Sequence, residues 1–428
     1  MLDFLLIFIL SFFFTQGNVW VKASTFNIKL FPLYFVLIIV FLYLDLNKKQ
    51  LNRKLYTYGK IAIFSLLVLL TVGKSFYTAI NLRHQLGNSY PVHDNPIQLE
   101  EAIKYLKQGK NPYTQDYFGT AQEAWYQEER LNRALYHFVT LPFYPLFSLI
   151  LSYPTETIFG FFDERMVHGL IFLIPIYLIW KLFKNLDKKI LYLTLFIFNP
   201  IFIHFFIEGR NDIFVFAWVF LSLYLLYKRK ILASSAILGL AIASKQSSWL
   251  LLPFYFFYLW QIYQNQEILE KVKSIFLKTW PFFVLTLIFF GSFLLWDGRS
   301  FVEDVYLFPG GGLATSYFIT GIGISELLLE TGFIASDTAY FPFFVLQLIV
   351  GLPLLIFLFI WFKKRLTISS LVFAYGIFLT VFWLFSRFFM DNYVGYLTMV
   401  FLIGAVFLEA EKSNCAHKNK LVSKKTRI

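Results

Sequence analysis

The chain has 428 residues, of which 58% are hydrophobic, 21% aromatic and only 15% charged, whereas soluble domains carry about a quarter charged residues; a water-soluble globule is excluded. The net charge of +12 comes from basic residues in short clusters between apolar runs, the pattern of cytoplasmic loops, so no nucleic acid partner is expected. The single cysteine, Cys415, excludes an intrachain disulfide, and runs such as 61 to 72 and 341 to 362, apolar on every face, exclude a membrane β-barrel.

Apolar runs near 20 residues recur along the chain, each long enough to cross a hydrocarbon layer of about 30 Å as a helix. The fold class is therefore an all-α polytopic membrane protein, a single transmembrane domain over 1 to 428. Met1 to Phe14 has an acidic residue at Asp3, no basic n-region and no small-residue cleavage site, and is read as a retained first span. Twelve crossings are predicted, near 2 to 21, 28 to 46, 60 to 80, 166 to 183, 190 to 207, 213 to 227, 231 to 244, 248 to 262, 279 to 296, 341 to 361, 367 to 385 and 393 to 409. Basic clusters at Lys48 to Lys60, Lys181 to Lys189, Lys228 to Lys230, Lys271 to Lys278, Lys363 to Arg365 and Lys412 to Arg427 then all fall inside, with both termini and a basic tail, 410 to 428, in the cytoplasm. A further crossing at 141 to 162 would move Lys181 to Lys189 outside. Its prolines at 142, 145 and 154 suit a broken, juxtamembrane or re-entrant piece instead.

Between spans three and four lies a large outer loop, about 81 to 165. Within it Asn95 can cap a helix, with Pro96 at its first position, Gln98 at the capping-box position and Gly109 at its end. Leu99, Ile103 and Leu106 make its apolar face. Thr120 with Glu123 repeats the capping box for a second surface helix, with Ala124, Leu131, Leu135 and Phe138 on one side. A second outer loop, about 297 to 340, holds Gly310, Gly311, Gly312, Gly321 and Gly323 and is expected to act as a flexible cover. No dinucleotide or P-loop spacing occurs, the histidines lack ligand spacing, and no cofactor or metal is expected.

Ionisable groups near the outer ends of spans are expensive unless paired or facing water. Asp212 lies 17 residues before Arg229, and Lys245 lies 16 after it, which puts both at roughly 25 Å from the inner turn at a helical rise of about 1.5 Å per residue. Around them stand Glu208, Arg210 and Asn211 in EGRND, Gln246 in SKQS, and Arg387, Asp391 and Asn392 in SRFFMDN. These are either ordinary turn charges paired with one another and with lipid headgroups, or a recessed site built from three separate turns. Lys74, inside span three, is read as snorkelling. Asp94 precedes the first surface helix; it is either a turn or capping residue or, with Asn95 free to cap, a carboxylate available for chemistry.

The order of these pieces resembles the integral-membrane glycosyltransferases of the GT-C fold, in particular their bacterial mannosyltransferase-like branch. The resemblance rests on a carboxylate in the first large outer loop, the run HDNPIQLEEAIKYLKQGKNPYTQDYFGT at 93 to 120 with its GxNPY string (Gly109, Asn111, Pro112, Tyr113), then EGRND at 208 to 212 and GLAIASKQSSWLLLP at 239 to 253. It implies transfer of a hexose, mannose-like, from a polyprenyl-phosphate sugar donor to a lipid-linked glycan, glycolipid or protein acceptor, with inversion, on the non-cytoplasmic face of the cell membrane. By position Asp94 matches the catalytic carboxylate of that loop. Lys245, Arg210 and Arg387 are the cations available to the departing phosphate, and Glu208, Asp212, Gln246, Tyr113, Asn111 and Glu101 are expected to support or bind substrate. No DxD pair occurs in the first loop, so the metal-using members are not matched. Charges in a membrane cavity equally mark transport paths. A transporter or flippase of a lipid-linked or anionic solute is therefore one alternative, and a polymerase or ligase of lipid-linked glycans is another.

Overall fold

The computed structural model describes residues 2–12, 30–87, 92–125 and 132–425, the side chains of 12, 125 and 414–425 excepted. The second half of the expected first span, the start of the second, and Leu131 lie outside the described residues. The helices, in chain order, are α1 (Leu2–Phe12), α2 (Phe31–Leu46), α3 (Arg53–Val68), α4 (Lys74–Leu86), α5 (Asp94–Lys107), α6 (Ala121–Trp125), α7 (Phe143–Phe159), α8 (Glu164–Leu182), α9 (Leu186–Ile197) and α10 (Ile203–Glu208). They continue as α11 (Asp212–Tyr227), α12 (Ile231–Ile242), α13 (Leu252–Ile262), α14 (Ile268–Val302), α15 (Phe308–Gly310), α16 (Ile324–Glu330), α17 (Phe343–Lys363), α18 (Ile368–Leu384) and α19 (Asp391–Lys425). The strands among the described residues are two-residue pieces, β1 (Thr320–Gly321) and β2 (Phe388–Phe389), paired in parallel.

Five helical stretches are long and apolar enough to cross a membrane: Arg53–Leu86, Glu164–Leu182, Ile268–Gly310, Phe343–Lys363 and Asp391–Ser413; shorter apolar helices stand at Leu2–Ser11, Phe31–Leu46, Asp212–Tyr227, Ile231–Ile242 and Ile368–Leu384. Much of the apolar surface faces outward, Leu287, Leu295, Ile349 and Phe357 among it, which suits a lipid solvent and not water. Among the described residues the chain is thus almost wholly helical, as a helical membrane protein is.

The chain divides into two compact units, 1–93 with 176–210, and 94–175 with 211–428. In the first unit α2 packs on α3, and α1 and α3 pack on α9. Its centre is Lys60. Read in sequence as one of a cluster of loop charges, Lys60 is instead fully buried. Its Nζ donates to Asp3 Oδ2 at 2.6 Å, Asp187 Oδ1 at 2.9 Å, Tyr56 at 3.1 Å and also to Asp45. Tyr56 donates to Asp187 at 2.6 Å, and Lys48 reaches the other oxygen of that carboxylate. One ammonium thus joins α1, α2, α3 and the start of α9.

In the second unit α11, α12 and α14 pack in sequence. Ser222 Oγ donates to Ser234 O at 2.9 Å and Ser234 Oγ to Ser222 O at 2.8 Å, a reciprocal pair that the turn at Lys228 to Lys230 brings into register. Gly239 lets α14 approach closely: a Cβ there would lie 3.2 Å from Phe282 O and from Leu285 Cβ. The helix-spaced residues of α5 bury Ile97, Leu99, Ala102 and Ile103, and α5 packs on α7.

Three expectations are corrected here. The first loop helix begins at Asp94, so Asn95 and Pro96 sit inside it. Gln98 closes no capping box, because its Nε2 donates to Ala134 O at 2.6 Å and His137 O at 2.8 Å, partners supplied only by the folded loop. The second loop helix does not extend to Phe138: α6 covers Ala121–Trp125, and the chain returns as a short turn at Arg133–Leu135. Thr120 and Glu123 do cap α6, accepting from Gln122 N–H and Gly119 N–H. The stretch at 141 to 162 is one unbroken helix, α7, with Gly160 (φ 79°) at its end. Pro142 precedes it and Pro145 falls in its first turn, where backbone N–H groups have no helical partner to lose; only Pro154 is interior.

The Lys60 knot gives a direct test. Lys60→Met keeps most of the stem but removes the ammonium from the buried Asp3 and Asp45 carboxylates, Asp187 being partly exposed and still paired with Lys48, so it lowers stability by about 3–5 kcal/mol, read as a thermal melt of detergent-purified protein. Adding Asp45→Asn to Lys60→Met recovers part of the loss. A Lys60→Met protein that melts with the wild type would show the knot to be dispensable.

Candidate functional site

EGRND, SKQS and SRFFMDN each supply a side chain to one cluster in the second unit. Asp212, the first residue of α11, is almost fully buried. Its Oδ1 accepts from Lys245 Nζ at 2.6 Å and its Oδ2 from Asn392 Nδ2 at 2.6 Å. Lys245 also donates to Asn211 Oδ1 at 2.7 Å and lies 5.4 Å from the Tyr393 ring centroid. The geometry follows from chain breaks. Lys245 sits in extended backbone (φ −161°, ψ 142°) between the end of α12 and the short turn Gln246–Leu251, so its side chain leaves the helix axis toward the N-terminus of α11. The Lys245 side chain is 16% exposed, and of its three N–H groups these hydrogen bonds use two.

Gln246 is turned away, its Nε2 donating weakly to Val139 O at 3.4 Å and Val305 O at 3.3 Å. Arg210 and Glu208 belong to the first unit, where Arg210 Nε donates to Glu208 Oε2 at 3.3 Å and the guanidinium stacks 4.8 Å from the Phe205 ring centroid. Asp94 is half-buried at the first position of α5, where the positive end of the helix dipole suits an anionic side chain. Glu101, on the same helix, accepts from Lys104 at 2.7 Å.

The GxNPY string and Arg387 have structural employment. Asn111 Oδ1 accepts from Tyr113 N–H at 3.1 Å and starts a tight turn. Tyr113 is buried, donates to Thr140 O at 2.6 Å and packs edge-on against Phe293 and Phe301. Burial pushes its hydroxyl well above the ordinary tyrosine range, and the Asp304 carboxylate adds to the effect. Arg387 donates to three carbonyls of the loop at 297 to 340: Tyr317 at 2.6 Å, Ala339 at 2.9 Å and Asp337 at 3.2 Å. That loop is no open cover. It begins where Asp297 leaves helical geometry inside α14 and caps Ser300, and Arg133 holds it through Ala314 O and Ser316 O. His137 ties it further, bonding Asp304 at 2.6 Å and Thr315 at 2.7 Å. Gly321 (φ 109°) lets β1 lie on β2, since a Cβ there would meet Phe389 O at 2.2 Å.

Two polar clusters escaped the sequence reading. Ligand atoms of Asp3, Asp45 and Asp187 lie within 4.8 Å of one another, a donor set suited to a cation, and the Lys60 ammonium fills that role. In the second unit α7 and α8 face each other through buried polar side chains. Ser148 Oγ donates to Glu164 Oε1 at 2.8 Å, and Tyr144 hydrogen-bonds His168 Nε2. Glu164 N–H is capped by Glu100 at 3.0 Å, and Arg165 is clasped by Asp163 at 2.7 and 2.9 Å. The signal was present as E-x-x-x-H at 164 to 168, but a span placed from 166 left Glu164 in the loop. No protein-family model matches the chain, and neither a curated protein nor a solved structure matches it.

Proposed function

We propose that the protein is an integral-membrane glycosyltransferase that moves a hexose, mannose-like, from a polyprenyl-phosphate sugar to an acceptor hydroxyl with inversion. The observation that carries this reading is Lys245, a cation aimed by Asn211 and Asp212, with one N–H uncommitted and part of its side chain open. A pre-oriented ammonium is what a departing phosphate requires. The acceptor oxygen attacks the anomeric carbon as the C–O bond to phosphate breaks, the electron pair leaves with the phosphate toward Lys245, and Asp94 takes the hydroxyl proton. One carboxylate suffices for inversion. Arg387 is held by carbonyls and Tyr113 by packing, so within the second unit the donor site narrows to Lys245. We further propose twelve crossings in the cell membrane, with both termini cytoplasmic and the reaction on the outer face.

Topology is checked with single cysteines in a Cys415→Ser background. Outside reagent reaches Gln127→Cys and Ser336→Cys but not Asn52→Cys or Asn265→Cys; outside labelling at 52 would invert the orientation.

Lys245→Ala weakens donor binding by about 1.5–3 kcal/mol, roughly tenfold or more, measured with a labelled polyprenyl-phosphate sugar. Unchanged affinity in a well-folded variant would return Lys245 to a purely structural role.

Asp94→Asn keeps the shape of α5's first turn and removes the proton acceptor. Turnover at saturating donor and acceptor drops by about 10²–10⁴, the range for loss of a general base, while donor binding persists. Retention of more than about a tenth of the rate contradicts that range and would move the test to Glu100 and Glu101. Product analysis separates the reaction from its alternatives: transport yields no new glycosidic bond, and a polymerase or ligase yields a glycan transferred as a block.

A further inference from the structure

The paired side chains between α7 and α8 have a spacing that a merely structural contact does not need. Tyr144 and Ser148 stand one turn apart on α7, and Glu164 and His168 one turn apart on α8. In an antiparallel hairpin 144 therefore meets 168 and 148 meets 164. All four are buried, and Glu164, Ser148 and His168 have no exposed surface. Yet the ladder is incomplete. Glu164 Oε2 and His168 Nδ1 make no hydrogen bond, although the Tyr144 hydroxyl faces the Glu164 carboxyl as well as His168. Buried polar atoms without partners are rare and call for a chemical reason, and Glu and His placed within a membrane helix are by default candidates for moving protons.

We propose that Glu164, Tyr144 and His168 form a proton relay inside this hairpin, with Glu164 as a neutral carboxylic acid, Tyr144 as the shuttling hydroxyl and His168 as the acceptor. A carboxylate with no exposure and one serine donor is costly to ionise, and the neighbouring charges reinforce this. Glu100 from α5 and Asp163 at the head of α8 both repel a negative charge on Glu164. A positive charge on His168 is attracted by Asp163 and by Asp212 at the head of α11, and opposed by Arg165. The relay therefore lies within electrostatic reach of the Lys245 cluster. At rest Glu164 donates to Tyr144 Oη and Tyr144 donates to His168 Nε2, which places the imidazole proton on Nδ1. In transfer the Glu164 O–H bond breaks as a new O–H forms at Tyr144, and the proton Tyr144 held passes to Nε2. A carboxylate and an imidazolium result. The imidazolium then loses its Nδ1 proton to water and Glu164 takes up a proton from water; the chain is reset once the imidazole has exchanged its remaining Nε2 proton for one at Nδ1. Oε2 and Nδ1, the two atoms left open, are the ends through which protons enter and leave.

The relay is independent of the glycosyl-transfer reading and is tested without any sugar. Purified protein in lipid nanodiscs is followed by infrared difference spectroscopy through a pH titration, with ¹⁵N-histidine NMR for the tautomer and His168→Gln to assign the signal. Expected at neutral pH are the carbonyl stretch of a protonated carboxylic acid, lost in Glu164→Gln and displaced in Tyr144→Phe, and an Nδ1–H tautomer of His168 that changes in both variants. Absence of that carbonyl band in the wild type, its survival in Glu164→Gln, or a His168 signal untouched by both substitutions overturns the proposal. Tyr144→Phe removes a single oxygen and carries the test if Glu164→Gln fails to fold.

Discussion

Hydrocarbon offers no water to a stranded charge, and that constraint organises both units of this protein. An ammonium or carboxylate below the membrane surface must bring its own partners, at a cost of several kcal/mol if it does not. Lys60 meets the requirement with three carboxylates from three different helices. Because Asp3, Asp45 and Asp187 would repel one another without it, the ammonium serves as the common partner of helix ends that have little else polar to share. A bundle of apolar helices in lipid gains little from hydrophobic contact between helices, so a shared charge of this kind fixes which faces meet.

The same constraint produces a different outcome around Asp212. Here one carboxylate is divided between a lysine and an asparagine from distant turns, and the lysine is left partly exposed with a donor to spare. Arg387, buried and held by loop carbonyls at its Nε and at both terminal nitrogens, is a fastening. A lysine that keeps a donor to spare and part of its side chain exposed, at the edge of a buried cluster, marks a place where something else can bind. The contrast between the two cations is what separates the candidate site from the scaffold.

Much of this was legible in the chain. Composition and run length led to apolar helices, and the shared level of Asp212 and Lys245 followed from helical rise on either side of the turn at Arg229. What resisted reading was long-range pairing. Lys60 looked like a loop charge because its three partners are 15, 57 and 127 residues away. Gln98 fitted a local capping pattern, yet its amide serves carbonyls at 134 and 137. The prolines around α7 suggested a broken segment, because a proline in a first turn and one in an interior look alike until the helix start is known. GxNPY was read as a marker of chemistry, whereas Tyr113 anchors the loop against α14. Local patterns located the elements, and the partners of buried polar groups required the fold.

Arg387 has a consequence for how the molecule is made. Its guanidinium sits at the turn before α19, about fifty to seventy residues downstream of the carbonyls it holds. A ribosome delivers those carbonyls first. Arg133 and His137, which precede the loop, are present when it is made, and the Arg387 fastening is added only after α17 and α18. A polypeptide stopped after α18 would carry Asn211, Asp212 and Lys245 but neither Asn392 nor Tyr393, and would lack the Arg387 fastening.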